Sequence, residues 1–355
     1  MDFGVCVATK IDDVEIIRHA ENLGYRDAWI PDSQMIWSDC YAYMALAAKI
    51  TSSIRLGTGV AVTGTRIAPV TAHSIATINR LVPGRTFLGI GTGNTAQRLM
   101  GHRPVKFAEY AEYIRVLRAL LDGDEVEFEH DGRRVPIQFG MADLGFIDVE
   151  HHIPIHVSGF YKRTHELAGQ YGDGLVCSVP PQHDFVTRTL ANVRRGAESI
   201  GRQLPDDFRV SSLTAAVVLQ PGEAANSPRV VREVGPFAIS SVHYIYDKIK
   251  ENGGEPPPHM RPFWKEYCAQ VEKVPESHRH MRVHGGHCTY MLPEEIPFVT
   301  EDLVRATCLV GVADELVEQV RILADAGLDQ LFLLPSVAMQ YENFTRFSND
   351  VMARI

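Results

Sequence analysis

Two short runs hold the residues best suited to gripping a flat ligand. Gly57-Thr58-Gly59-Val60, trailing into Ala61-Val62-Thr63, and Gly89-Ile90-Gly91-Thr92-Gly93-Asn94 each finish a strand-like stretch in glycines and small polar residues. Lacking a Cβ, such tips let backbone amides come close to a planar or anionic group. Taken alone, the second run is a plain glycine-rich turn. It departs from the dinucleotide fingerprint because Asn94 stands where the sixth-position glycine belongs, and its strand is fourth rather than first. A Rossmann nicotinamide site is therefore rejected. Side by side, the two tips make a slot that suits a ring system.

Three further groups could do chemistry. Ser158-Gly159-Phe160-Tyr161 leads into a helix, so it is either an anion site built on free amides or a simple helix cap at Ser158, with Lys162 or Arg163 to add charge. Cys177-Ser178-Val179 ends the next strand and points to a ligand more weakly, because a buried cysteine is usually core. Ser33 and Gln34 follow the second strand and can donate hydrogen bonds into a barrel mouth; nearby Asp39 reads as a helix cap, and Trp37 and Tyr41 as packing. A histidine cluster, His278, His280, His284 and His287, lies late in the chain. His280 and His284 have a helical zinc spacing, but no glutamate lies between them and Gly285-Gly286 breaks the helix before His287. No metal is expected. The histidines, His284 and His287 among them, read instead as hydrogen-bonding groups at a pocket lid or as plain surface residues, with acid/base work open to them. No Gly-x-Ser-x-Gly elbow supports a serine nucleophile.

Positioning these residues requires an alternating scaffold. Strands are expected at Phe3–Val7, Asp27–Pro31, Ile54–Val60, Arg85–Asn94, Ile153–Val157, Gly174–Ser178, Arg209–Leu219 and Asp329–Leu334, with helices between them. Strand, helix, strand at this spacing forces parallel pairing. Glu125–His130 and Arg133–Ile137 around Asp131-Gly132 predict a hairpin excursion. From Pro221 to about Thr300 the rhythm fails, with short helical pieces among Pro256-Pro257-Pro258 and Gly253-Gly254. The expectation is a (β/α)8 barrel with a large insertion after strand 7; a doubly wound sheet is the runner-up.

Composition narrows the function. A formal charge of −9 disfavours nucleic acid, which needs a basic surface. No run approaches the roughly 20 apolar residues of a membrane span, and the N-terminus shows no leader. The six cysteines are scattered without a Cys-x-x-Cys pair, which reads as free thiols in a cytoplasmic protein.

In this order and spacing the chain resembles the bacterial luciferase-like flavin and deazaflavin oxidoreductases. The resemblance rests on Ala28-Trp29-Ile30-Pro31-Asp32-Ser33, Ala47–Val60, Ala76–Leu81 with Pro83-Gly84-Arg85, Gly89–Asn94, Ile153-Pro154 with Ala168-Gly169 and Asp173-Gly174, and Ala326-Gly327-Leu328-Asp329. The nearest branch resembles methylenetetrahydromethanopterin reductase. The resemblance implies one TIM-barrel domain over 1–355, with 221–300 as a lid and substrate-pocket insertion. It also implies a cofactor ring at the C-terminal mouth and a bulge with a cis peptide at Gly59-Val60. Cofactor contacts are expected from Gly59, Val60, Ala61, Thr63, Gly91, Thr92, Gly93, Asn94, Cys177 and Ser178, with the phosphate on Ser158, Gly159, Phe160 and Tyr161. Two departures stand out. Ser33 occupies a place where several members carry histidine, and Arg66-Ile67-Ala68-Pro69 replaces the shorter Arg-His-Pro of the reductase branch.

The expected activity is a two-component monooxygenase that uses reduced FMN, supplied by a separate flavin reductase, and oxygen on a small organic substrate. Its hydrogen-bonding residues are Ser33, Gln34, His284 and His287. The alternative is hydride transfer with the deazaflavin coenzyme F420 on the same scaffold; a non-catalytic flavin-binding barrel is the third reading. A homodimer or homotetramer is expected.

Overall fold

Side-chain alternation with period two decides what faces the centre of the molecule. The computed structural model describes residues 1–178 and 183–355. Strands β1 (Asp2–Cys6), β2 (Asp27–Ile30), β3 (Arg55–Val62), β4 (Thr86–Gly91), β5 (Ile155–Ser158), β6 (Gly174–Cys177), β7 (Arg209–Thr214) and β8 (Gln330–Leu333) close into a barrel in chain order. Every neighbouring pair is parallel. The (β/α)8 expectation holds, and the doubly wound sheet is set aside.

Outward residues such as Ala28, Ile30, Leu88, Ile90, Ile155, Val157, Leu331 and Leu333 bury against the helical jacket. Inward ones fill the bore. Trp29 stacks on Phe332 at 4.4 Å and meets the edge of Phe87 at 4.5 Å, with His156 at 5.3 Å. The indole Nε1 donates to Gln330 Oε1 at 3.0 Å, and Gln330 Nε2 donates to Asp27 Oδ2 at 2.7 Å. This plug explains three of the glycines. A Cβ on Gly57 would stand 2.2 Å from the Phe87 ring, and on Gly59 2.6 Å from the Trp29 Cβ. On Gly89 it would stand 2.3 Å from the Thr58 carbonyl. Those positions make room for the barrel's own aromatics and for the backbone of the neighbouring strand.

At the end of β3 the register with β4 slips between Thr58 and Ala61, and Gly59-Val60 is a cis peptide. The bulge lies where the resemblance places it. The hairpin Val126–His130 and Arg133–Ile137 forms as an antiparallel pair outside the barrel.

The insertion differs most from expectation. The run read as one strand over 209–219 breaks at Ala215: its second half, Ala216–Val218, leaves the barrel and pairs with Leu309–Gly311. A 25-residue helix, Pro228–Asn252, then runs through Pro236 where short pieces were expected. Proline inside a helix costs about 3 kcal/mol, but this helix buries Val230, Val234, Phe237, Ala238, Ile239, Val242 and Tyr246, which outweighs that loss. Its apolar face joins Trp29, Phe87 and Phe332 in one continuous cluster, so the insertion is seated on the barrel interior. Among the described residues no helix is long and apolar enough to cross a membrane.

Candidate functional site

Three strand tips converge above the aromatic plug. A Cβ on Gly91 would meet Val60 Cγ2 at 2.9 Å and Ser158 Cβ at 3.3 Å, so β3, β4 and β5 touch at this rim. Val60, Thr92, Gly93, Asn94, Ser158, Gly159 and Ser178 all keep accessible surface there, although the strands beneath them are buried. Hydrogen bonds pin the tips. Thr63 donates through both its N–H and its Oγ1 to the Gly91 carbonyl, at 3.1 and 3.2 Å. Tyr110 Oη donates to the Ile90 carbonyl at 2.6 Å and accepts from the Ser158 N–H at 3.1 Å.

Several expected contacts are corrected by this geometry. Ala61 turns outward after the bulge and is buried in the jacket, so its side chain does not reach the mouth. Thr63 is buried and spends its hydroxyl on Gly91, which makes it a brace for the tip. Gly59 is packed against Trp29. Cys177 is buried with its Sγ aimed at the Ser211 carbonyl at 3.5 Å, and burial pushes its thiol up to about 12. Val179 lies outside the described residues. Lys162 is paired with Glu166 at 3.6 Å and Arg163 lies over the Phe107 ring at 4.0 Å, so neither adds charge to the β5 tip.

What remains is an open shelf formed by Val60, Thr92, Gly93, Asn94, Ser158 and Gly159 around the buried Gly91, ending at the start of helix Lys162–Tyr171. Phe160 and Tyr161 flank it, both well exposed. A planar ring can lie on the shelf, and a phosphate suits its β5 end, where a helix begins. The accessible tips over a packed floor therefore fit a flavin-like group.

Residues from the β2 loop and the insertion lie over this shelf. Trp37 Nε1 donates to Thr289 Oγ1 at 2.9 Å, and its ring lies 6.0 Å from that of His287. His287 Nδ1 is 3.4 Å from Thr95 Oγ1, on the short helix Asn94–Leu99 that follows β4. Burial, with His284 and His243 nearby, pushes His287 down to about 3, yet the side chain keeps accessible surface. His284 differs: it is fully buried, with Nε2 on Asp247 Oδ2 at 2.8 Å, inside the insertion and away from open surface. The expected pair is therefore split. His280 makes no pair with His284, and among the described residues no group of three or more His, Cys, Asp or Glu is arranged around a metal position.

Ser33 and Gln34 lie half-buried beside the bulge. Gln34 Nε2 bonds to Asp32 Oδ1, so the amide is turned toward Asp32. Sequence reasoning missed Asp32 itself, which accepts from Arg66 Nη1 at 2.6 Å and from the Val62 N–H at 3.2 Å. It also missed Arg98, which ties Asn94 to the insertion through Asp247 and Glu251. The pattern Asp32–Arg66 carries no sequence signal, since the two lie on different loops. Tyr161 Oη and Tyr244 Oη, 3.0 Å apart, join the β5 tip to the long helix.

Comparison with known proteins agrees with this architecture. The model of the luciferase-like monooxygenase family matches residues 2–330. A 5,10-methylenetetrahydromethanopterin reductase of Methanolobus tindarius is 32% identical over 210 residues, 57% of this chain, and the match spans 61% of that relative's length. An F420-dependent glucose-6-phosphate dehydrogenase of Amycolatopsis mediterranei is 23% identical over 97% of this chain and 94% of its own. Among solved structures, the coenzyme F420 dependent tetrahydromethanopterin reductase of Methanopyrus kandleri superposes with a TM-score of 0.67 at 20% identity, covering 99% of this chain and 98% of that one. The family match over nearly the whole length, on a barrel with these converging tips, makes this chain a member of the luciferase-like monooxygenase family of oxidoreductases.

Proposed function

We propose that the protein is a deazaflavin-dependent oxidoreductase that moves a hydride to or from a small organic substrate held between the shelf and the insertion. The observation that carries this is the accessible rim of Val60, Thr92 and Ser158 over a packed aromatic floor, faced by the neutral imidazole of His287. Relatives named for F420 support the deazaflavin over FMN. When bound, that coenzyme accepts or delivers a hydride.

The chain's own residues supply the rest. Gly91, Thr92, Gly93 and Asn94 would hold the ring, and Ser158, Gly159 and Tyr161 the phosphate end. His287 takes the place of the histidine that Ser33 lacks. Kept neutral by burial, it can accept a hydroxyl proton from an alcohol undergoing oxidation and return it in the reverse direction. Trp37 and the insertion exclude water from that exchange.

The second reading is the FMN-linked monooxygenase expected first from the sequence, which the family's own description favours. A fluorescence titration with coenzyme F420 and with FMN separates the two, followed by oxygen-uptake measurements with reduced cofactor. Micromolar binding of F420 with no oxygen demand supports the proposal; binding of FMN alone, with substrate-dependent oxygen uptake, reverses it.

A further inference from the structure

Side chains from two separate elements meet at the β5 end of the shelf. Tyr161 Oη and Tyr244 Oη lie 3.0 Å apart, and the Phe160 and Tyr244 rings are 5.9 Å apart, so the long helix Pro228–Asn252 reaches the β5 tip from the insertion. Lys248, one turn further along that helix, places its Nζ 5.5 Å from the centre of the Tyr161 ring. Its charge is not spent elsewhere. Asp247 and Glu251, acids close to it on the helix, are held by Arg98 at 3.2 and 2.8 Å, and the exposed Arg103 also faces Glu251 at 3.9 Å. Two guanidinium groups thus balance two carboxylates, and Lys248 is left over. Lys250, by contrast, is bonded to Glu272 at 2.6 Å, and Lys162 lies 3.6 Å from Glu166. Lys248 is exposed, and among the described residues no acid pairs with it.

The β5 tip by itself is short of donors. The Gly159 N–H is bonded to the Val176 carbonyl at 3.2 Å, and the Tyr161 N–H to Thr164 Oγ1 at 3.3 Å. A phosphate is charged and accepts several hydrogen bonds, so it calls for more than the first turn of helix Lys162–Tyr171. Two phenols that share one hydrogen bond keep one O–H unspent. Burial, with the Tyr161 hydroxyl adjacent, pushes Tyr244 up, so it keeps its proton and can donate. We infer that Tyr244 and Lys248, both from the insertion, complete the phosphate site of the cofactor alongside Tyr161. This rests on the proposed cofactor and on the placing of its phosphate at the β5 end, and it gives the insertion a share in cofactor binding.

Fluorescence titrations of the full chain test the inference with ligand pairs that differ in the phosphate: coenzyme F420 against its phosphate-free deazaflavin core, and FMN against riboflavin. Wild type is compared with Tyr244→Phe, Lys248→Gln and Lys250→Gln. Tyr244→Phe should weaken binding of the phosphorylated ligand about tenfold, and Lys248→Gln about fivefold, with the phosphate-free partner unchanged. Lys250→Gln removes the same charge from the same helix and should change neither. Equal losses for both members of a pair, the mark of a merely structural tie between insertion and barrel, overturn the inference. So does a Lys248→Gln protein that binds like Lys250→Gln. All three positions are exposed or half-buried, so the variants retain the fold. Which pair the wild type binds reports on deazaflavin against FMN, whereas a loss confined to the phosphorylated member reports on Tyr244 and Lys248, so the two readings fail separately.

Discussion

Asp32 Oδ2 and Arg66 Nη1 lie 2.6 Å apart in a pair that fastens the loop after β3 to the tip of β2. The same carboxylate accepts the Val62 N–H at 3.2 Å, just beyond the bulge. Asp32→Asn should leave Arg66 facing Asp39 alone and loosen the strand 3 rim. Removing one partner of a buried pair costs about 3–5 kcal/mol; because Asp39 remains, about 2 kcal/mol is expected by urea denaturation. Cofactor affinity should fall about tenfold in the same protein.

Gly91 is the point where three strand tips meet. Gly91→Val would drive a branched side chain into Val60 and Ser158, already 2.9 and 3.3 Å from a bare Cβ. Binding of the correct cofactor should be lost in a fluorescence titration. Unchanged affinity would remove the strand 4 tip from the site.

His287→Asn keeps a hydrogen-bonding side chain but removes the proton-accepting imidazole. Turnover should drop about a hundredfold, within the range of general acid–base catalysis, while the cofactor dissociation constant stays the same. A fall in cofactor affinity with little change in turnover would place His287 outside the proton path.

Acid should destabilise the fold through its buried histidines. Burial pushes His156, on the barrel floor, down to about 4, and His287 down to about 3. An unfolded histidine takes up its proton near pH 6.5. Between those values the unfolded chain binds more protons than the folded one, so stability falls as pH falls. At pH 5 His156 alone accounts for about 2 kcal/mol. Urea midpoints at pH 7.5, 6 and 5 should decline in step, and His156→Phe should flatten the slope. A wild-type midpoint independent of pH over that range contradicts the assignment.

The barrel was legible in the sequence because its signals are local. Inward and outward residues alternate along Asp27-Ala28-Trp29-Ile30 and along Phe87-Leu88-Gly89-Ile90, and helix patterns separate each strand from the next. The hairpin was equally plain, since Asp131 and Gly132 both take the positive φ that a tight two-residue turn requires. The insertion was not. Its long helix runs through Pro236 where only short helical pieces were expected, and it persists because burial on the barrel interior outweighs the local penalty. Local pattern carries no information about that surface.

Residue types at the strand tips were therefore set by the chain itself, since period-two alternation determines which positions face the mouth. Which of those glycines keep open surface was decided only by folding: Gly57 and Gly89 are buried against Phe87 and the adjacent strand, and Gly91 is buried where Val60 and Ser158 meet, whereas Gly93 keeps accessible surface. The separation of His284 from His287 was likewise tertiary. Three residues apart in sequence, one is tied to Asp247 in the insertion core while the other lies against Trp37 and Thr95. Those partners come from elements 37 to 250 residues away, and pairings over such distances arise from packing, which no local spacing encodes.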